Sequence, residues 1–324
     1  KAEVFQVFEK AVGKEGVERY QEIVSKYLSF HSKKVVYSHQ VLEAKLVTEQ
    51  GFSISLASEW IENPDEEFNK QDCEQKAFRR LAEKLKKHFP RLPICLVVDG
   101  LYPNEPFFTI CRDNQWEFIS VLKDDSLLSL QEEIKDLSNL NEQQQRSRQY
   151  QQGTQQIAET YQWLNALKYR HFQLNWIAMT ETITGAALPN NDTAKKEATT
   201  TRFVFLASQA ITNLNCFEVI QVGRRRWKIE NEGFNCQKNL GYEMQHKYSR
   251  TSLPAAKNYY QCLQIAHMIN QLCEFAQATQ DQVKQWHSSL KHLWKTLFAC
   301  FVYETIDEQE LQAFSATKVQ FRYG

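Results

Sequence analysis

No stretch of the 324-residue chain approaches the roughly 20 consecutive apolar residues that a membrane span needs, and no charged-then-apolar leader opens it. Closely spaced cysteines are also missing. Cys73, Cys95, Cys111, Cys216, Cys236, Cys262, Cys273 and Cys300 are scattered, so the chain lacks metal-ligand spacing of the zinc-finger kind, and the thiols are expected to be reduced and mostly buried. There is no P-loop, dinucleotide fingerprint or nucleophile elbow. Charge of one sign is lacking as well: Lys+Arg and Asp+Glu are both 39, so net charge neither announces nor excludes a nucleic-acid partner, and local clustering must decide. What is present, 42% hydrophobic and 24% charged residues, belongs to a folded globular protein, expected in the cytoplasm. Its length suits one large domain carrying an insertion, or two ordinary ones. The chain opens on Lys1 in an apolar-periodic stretch, which suggests further sequence upstream.

Helical spacing of Val17, Tyr20, Val24, Tyr27 and Leu28 predicts an amphipathic helix over residues 15–29, within an amino-terminal helical segment of residues 1–33. Val36, Leu42, Ala44 and Leu46 then alternate, and Phe52 to Ala57 forms a second strand after Gly51, giving a hairpin. Ala77, Phe78, Leu81, Leu85 and Phe89 mark one helical face, ended by Pro90 and Pro93. Ile94 to Val98 reads as a buried strand, Phe118 to Lys123 as another, and Leu127, Leu130, Ile134 and Leu137 as a helix, so residues 34–140 have the order β-β-α-β-β-α of a mixed α/β sheet. Asn141 to Gln156, rich in Gln, reads as a solvated connection opening a β-rich insertion of residues 141–210, in which Phe172 to Ala178 and Phe203 to Ala207 alternate. Residues 211–250 carry a long helical pattern through Lys238, and residues 251–324 a helical end.

Asp99, delivered with Gly100 at the carboxyl end of the apolar strand, stands where open α/β sheets place ligands, and its oxygens suit a hard cation. A plain strand-ending turn explains the same dipeptide. In the run Gly223 to Lys238, Arg226 and Glu230 are four apart and share a helical face, so the guanidinium can orient the carboxylate or meet a phosphate; a solvated basic helix with internal ion pairs is the alternative. His39 reads as a structural histidine, Glu59, Asp72 and Glu74 as supporting acids, and Arg79, Arg80, Lys84, Lys86 and Lys87 as a basic helix surface.

Arg226-Trp227-Lys228-Ile229-Glu230 resembles the Tyr-Arg-Glu-Lys signature helix of DDE-class insertion-sequence transposases, and Asp99-Gly100-Leu101-Tyr102 resembles the second acid of that family. The likeness continues through Tyr37-Ser38-His39-Gln40, Lys70-Gln71-Asp72-Cys73-Glu74, Gly241-Tyr242 and His246, over roughly residues 34–275. The resemblance implies an RNase H-like fold with a β-rich insertion and a helical carboxyl-terminal region. It also implies a nucleoid-associated enzyme that cleaves and joins DNA at transposon ends, as a homodimer, with no membrane partner. Asp99 and Glu230 would be catalytic and would hold Mg2+ or Mn2+ in a two-metal site; Arg224, Arg225, Arg226 and Lys238 would contact DNA, with Trp227 packing behind the site or supporting a displaced base.

Three departures accompany the resemblance. Gly223 stands where the signature Tyr belongs. Lys238 follows Glu230 by eight positions instead of seven, which turns it about 80° away in an ideal helix and puts Gln237 on the Glu230 face; a one-residue π-bulge around Gly233 would restore Lys238. The first aspartate of the family, an Asp-Gly on the first sheet strand, does not occur between Lys1 and Lys34, so the chain as it stands is expected to be inactive or badly impaired. The alternative is a DNA-binding remnant without chemistry.

Overall fold

The structure, a computed structural model, describes residues 39–62, 72–140, 144–184, 198–286 and 289–303. The expected amino-terminal helices, Val36, Tyr37-Ser38, Lys70-Gln71, the polar stretch 185–197 and residues 304–324 lie outside them.

Strands β1 (Gln40–Val47) and β2 (Ser53–Ile61) form the expected antiparallel hairpin, with a register irregularity at Ala44/Lys45. Leu42 and Ala44 pack into the core, but the irregularity changes the phase of the strand. Leu46, expected on the same face, is therefore exposed, and Lys45 donates to Gln264 at 2.9 Å. Helix α1 (Glu74–His88) buries Phe78, Leu81, Ala82 and Leu85 at helical spacing. It covers Leu42, Ala44 and Ala57 of the hairpin in the same core as Leu96 and Val98 of β3 (Cys95–Val98).

Helix α2 (Glu105–Asn114), absent from the sequence reading, carries the chain from β3 to β4 (Glu117–Val121). Its start is written locally: the Asn104 side chain caps the Phe107 amide at 3.0 Å and Pro106 occupies the first turn. The crossover makes β3 and β4 parallel, with Val98 opposite Ser120. Helix α3 (Leu128–Asn139) follows, and then β5 (Gln144–Gln152), β6 (Gln155–Tyr169), β7 (Phe172–Thr184) and β8 (Ala198–Ala207). Among the described residues these strands form one mixed six-stranded sheet in the order β3-β4-β8-β7-β6-β5, while β1 and β2 form a separate two-stranded sheet.

The Gln-rich connection is thus corrected to an edge strand, β5, solvated nearly throughout and ordered by its pairing with β6 rather than by burial. Strand β6 escaped the sequence reading although Ile157, Tyr161 and Trp163 alternate on its buried face. The expectation of a buried β3 is also corrected: its first residue, Cys95, is exposed, and among the described residues its outer edge has no strand partner. The cysteines differ in the same way. Only Cys111 and Cys216 are buried, whereas Cys73, Cys95, Cys262 and Cys273 are exposed; all eight are free thiols.

One face of the sheet packs on α1, α2 and α3 through Phe107, Phe108, Phe118, Leu130, Leu164 and Leu206. The other is covered by α4 (Cys216–Arg224), whose Val219 and Ile220 meet Tyr161, Trp163, Ile177 and Met179. Beyond α4 the expected long helix is divided into α5 (Arg226–Lys228), a π-helix (Ile229–Asn235) and α6 (Cys236–Asn239). Helices α7 (Leu253–Phe275), α8 (Gln277–Trp286) and α9 (Leu290–Tyr303) complete the fold. No described helix is long and apolar enough to cross a membrane.

Candidate active site

Helix α4 packs across β3, β4, β7 and β8. Because β8 runs antiparallel to β4, the chain leaves it at the opposite edge, and α4 returns toward the edge where β3 ends. The return is fixed by Gly223, at which a Cβ would lie 2.8 Å from the Phe205 ring. Phe205 pairs with Val121, one position beyond the Ser120–Val98 pair, so α4 reaches the level of Asp99 as it ends. The same contact explains why no tyrosine stands at this position: any side chain there collides with a buried ring.

Asp99 follows β3 and accepts the Leu101 amide on Oδ1 at 2.9 Å. That bond is the turn the dipeptide suggests, and it leaves a carboxylate at the sheet edge. Tyr102, next in the motif, donates its hydroxyl to Glu74 at 2.6 Å; burial first, and the Glu74 carboxylate second, push the phenol pKa up. Asp72 accepts from Arg80 at 2.8 Å, which holds its carboxyl at about 2 against the opposing effect of burial. Arg80 and Lys84 also grip Glu59, so two of the five residues of the basic helix surface are committed to binding the hairpin. His39 is exposed and meets Trp60 edge-on.

The three arginines of the signature segment each hold a carboxylate of this chain. Arg224 reaches Glu181 of β7 at 3.0 Å, Arg225 pairs with Glu49 of the hairpin turn, and Arg226 meets Glu230 at 2.5 Å on the same helical face. Lys228 adds a bond to the Glu49 carbonyl at 3.3 Å. Arg224 and Arg225 are therefore ties that fix the segment between insertion and hairpin; a phosphate would have to exchange with their carboxylates. Trp227 is 58% exposed, with an open ring rather than one packed behind a site.

The π-helix spans Gly233, and the Cys236 amide reaches back five residues to Asn231. In an unbroken α-helix Glu230 and Gln237, seven apart, would share a face. Here the Glu230 side chain is 55% exposed and Gln237 is fully buried, because the wide turn absorbs one residue and shifts the phase. Lys238 comes out exposed, as Glu230 is. The π turn is held from outside: Gly233 lies so near β2 that a Cβ would be 3.0 Å from Ser53 Oγ.

Gln237 belongs to a buried polar network that sequence reasoning missed. Its amide donates to Gln264 at 2.8 Å and approaches His267 Nδ1 at 3.0 Å. Gln271 brackets Ser53, accepting its amide at 2.7 Å and donating to its carbonyl at 3.1 Å. His267 also bonds the Glu232 carbonyl of the π turn; burial, and then the nearby Lys45 ammonium, lower its pKa to about 4 in spite of that bond. Lys45 is itself pushed down by burial. These partners lie 27 to 219 positions apart, beyond the reach of any local pattern.

Asp99 and Glu230 supply the oxygen chemistry that Mg2+ or Mn2+ favours. Among the described residues no three His, Cys, Asp or Glu side chains converge as a metal-binding group, so these two acids fall short of a two-metal centre. No protein-family model and no curated protein matches the chain.

Proposed function

We propose that the chain is most of an RNase H-like DDE transposase core, acting on DNA at insertion-sequence ends, in which Asp99 and Glu230 are two of the three carboxylates the chemistry needs. The observation that carries this reading is the π turn at Ile229–Asn235, which lies where the spacing of Glu230 and Lys238 requires one. The approach of α4 to the sheet edge that bears Asp99 supports it. A third acid would come from a strand seated between the hairpin and β3, which share one core without being hydrogen-bonded to each other. Exposed Lys238 and Trp227 would face DNA, with Arg224, Arg225 and Arg226 reaching phosphates by exchanging partners.

The second reading is a DNA-binding remnant, in keeping with the absence of a third acid beside Asp99 and Glu230 among the described residues. One experiment separates them: anisotropy of a labelled DNA duplex across a salt series, alongside nicking of supercoiled DNA in Mn2+. Salt-dependent binding with nicking that Asp99→Asn and Glu230→Gln abolish supports the enzyme. Binding with a weaker salt slope in Lys238→Ala, and no nicking, supports the remnant. Absence of salt-dependent binding overturns both.

A further inference from the structure

Gly100 is a glycine for a reason other than its own backbone. The described glycines with positive φ are Gly51, Gly153 and Gly241, so the turn after Asp99 does not itself call for one. What excludes a side chain is Lys123: a Cβ on Gly100 would lie 2.5 Å from its Cγ, 2.8 Å from its Cδ and 2.7 Å from its Cε. The whole aliphatic stem is laid along Gly100, with the charged end carried on to solvent.

Strands β3 and β4 are parallel, so Asp99 and Lys123, which follow them, leave the sheet at the same edge. The base of Lys123 is fixed. Leu122 before it is buried and donates its amide to Val204 at 3.1 Å. The Lys123 carbonyl accepts three donors: the Ser126 amide at 3.1 Å, the Ser126 hydroxyl at 2.8 Å and the Gln131 side chain of α3 at 3.0 Å. The ammonium, by contrast, makes no ion pair among the described residues, whereas Arg224, Arg225 and Arg226 each hold a carboxylate. A cation on a fixed base, with its stem seated and its charge unspent, suits an anion that arrives from outside the chain.

We propose that Lys123 binds a backbone phosphate of the DNA strand that crosses the sheet edge at Asp99. The assignment rests on the DNA reading given above and adds to it a contact that the signature helix does not supply. A carboxylate that is to meet a polyanion needs a cation at the same edge, and an ammonium serves as a point charge that positions phosphate without reading a base. Asp124 and Asp125, exposed in the turn that follows, oppose such binding. The test decides which charge prevails.

Binding of a labelled duplex to the full chain is followed by anisotropy between about 50 and 200 mM salt in EDTA, so that no metal contributes. Lys123→Ala should reduce the slope of log affinity against log salt by about 1, which makes its deficit at the low end about 3.5 times its deficit at the high end. Lys123→Arg, which retains the charge, keeps the parent slope, and so does Lys168→Ala, at an exposed position on the opposite edge of the sheet. Gly100→Ala supplies the structural arm, because its Cβ must push the stem aside. It should lose slope as Lys123→Ala does, the double substitution should lose no more than Lys123→Ala alone, and the double should melt above Gly100→Ala. Salt-dependent binding by the parent with an unchanged slope in Lys123→Ala overturns the assignment and leaves the DNA reading standing, and an equal loss in Lys168→Ala does the same. A parent without salt-dependent binding overturns the DNA reading and the assignment with it.

Discussion

His267 makes the stability of this protein depend on pH in a predictable direction. The ring is buried, receives amide groups at Nδ1 and stands near Lys45, so the folded state holds it neutral until the pH nears 4, against 6.5 for an ordinary histidine. The unfolded chain takes up a proton at about 6.5 and the folded chain does not, so unfolding absorbs a proton in the interval between. Stability from this group is complete above pH 6.5, declines as the pH falls, and is fully lost near pH 4. At about 1.4 kcal/mol per unit of displacement, the loss across that window is about 3 kcal/mol. The assay is urea unfolding at pH 7, 6, 5 and 4.5 for the protein and for His267→Gln, which removes the titrating ring and retains a hydrogen-bonding side chain. Carboxylates titrate alike in both, so the difference between the curves isolates the histidine. The variant should lose about 2–3 kcal/mol less than the parent between pH 7 and 4.5. Parallel curves would refute the buried neutral imidazole and, with it, the described network around Gln237.

Gly223→Ala should destabilise by about 1–3 kcal/mol through overpacking on Phe205, partly offset by better helix propensity; thermal unfolding measures it, and Phe205→Leu in the same chain should restore part of the loss. Gln237→Leu should lower stability by about 1–3 kcal/mol by removing its bonds to Gln264 and His267 and taking from the buried Gln264 amide the oxygen that accepts it at 3.1 Å, and an unchanged urea midpoint would contradict those bonds. Asp72, held at about 2 chiefly by Arg80, contributes above pH 4 about 2 kcal/mol that disappears as the pH falls from 4 to 2; Asp72→Asn should flatten that part of the acid-unfolding curve.

The elements whose burial follows a simple period were legible in the sequence. Helix α1 announces itself through Phe78, Leu81 and Leu85, and β7 through Phe172, Leu174 and Trp176. Strand β5 was not legible, because its order comes from pairing with β6 and not from an apolar face. Nor was α2, whose ten residues are announced by the Asn104 cap and Pro106 rather than by length. In the candidate site, the shared face of Arg226 and Glu230 followed from their spacing and Asp99 from the end of an apolar strand, whereas the expectation of a π turn came from the family resemblance. The partners of Arg224 and Arg225 did not, since Glu181 and Glu49 are brought to them only by the insertion and the hairpin.

The π turn between Arg226 and Gln237 divides one helix into two halves that answer to different neighbours. The half bearing Arg226 is aligned by the hairpin turn, through Glu49 and its bonds to Arg225 and Lys228. The half bearing Gln237 is aligned by α7. A stiff α-helix would transmit any rotation of one half to the other; a wide turn with a bonded, freed carbonyl at Glu232 can change its winding locally. The segment then behaves as a torsional joint: a pull on α7 can reset the azimuth of Lys238 while the hairpin turn keeps its hold on Arg225 and Lys228.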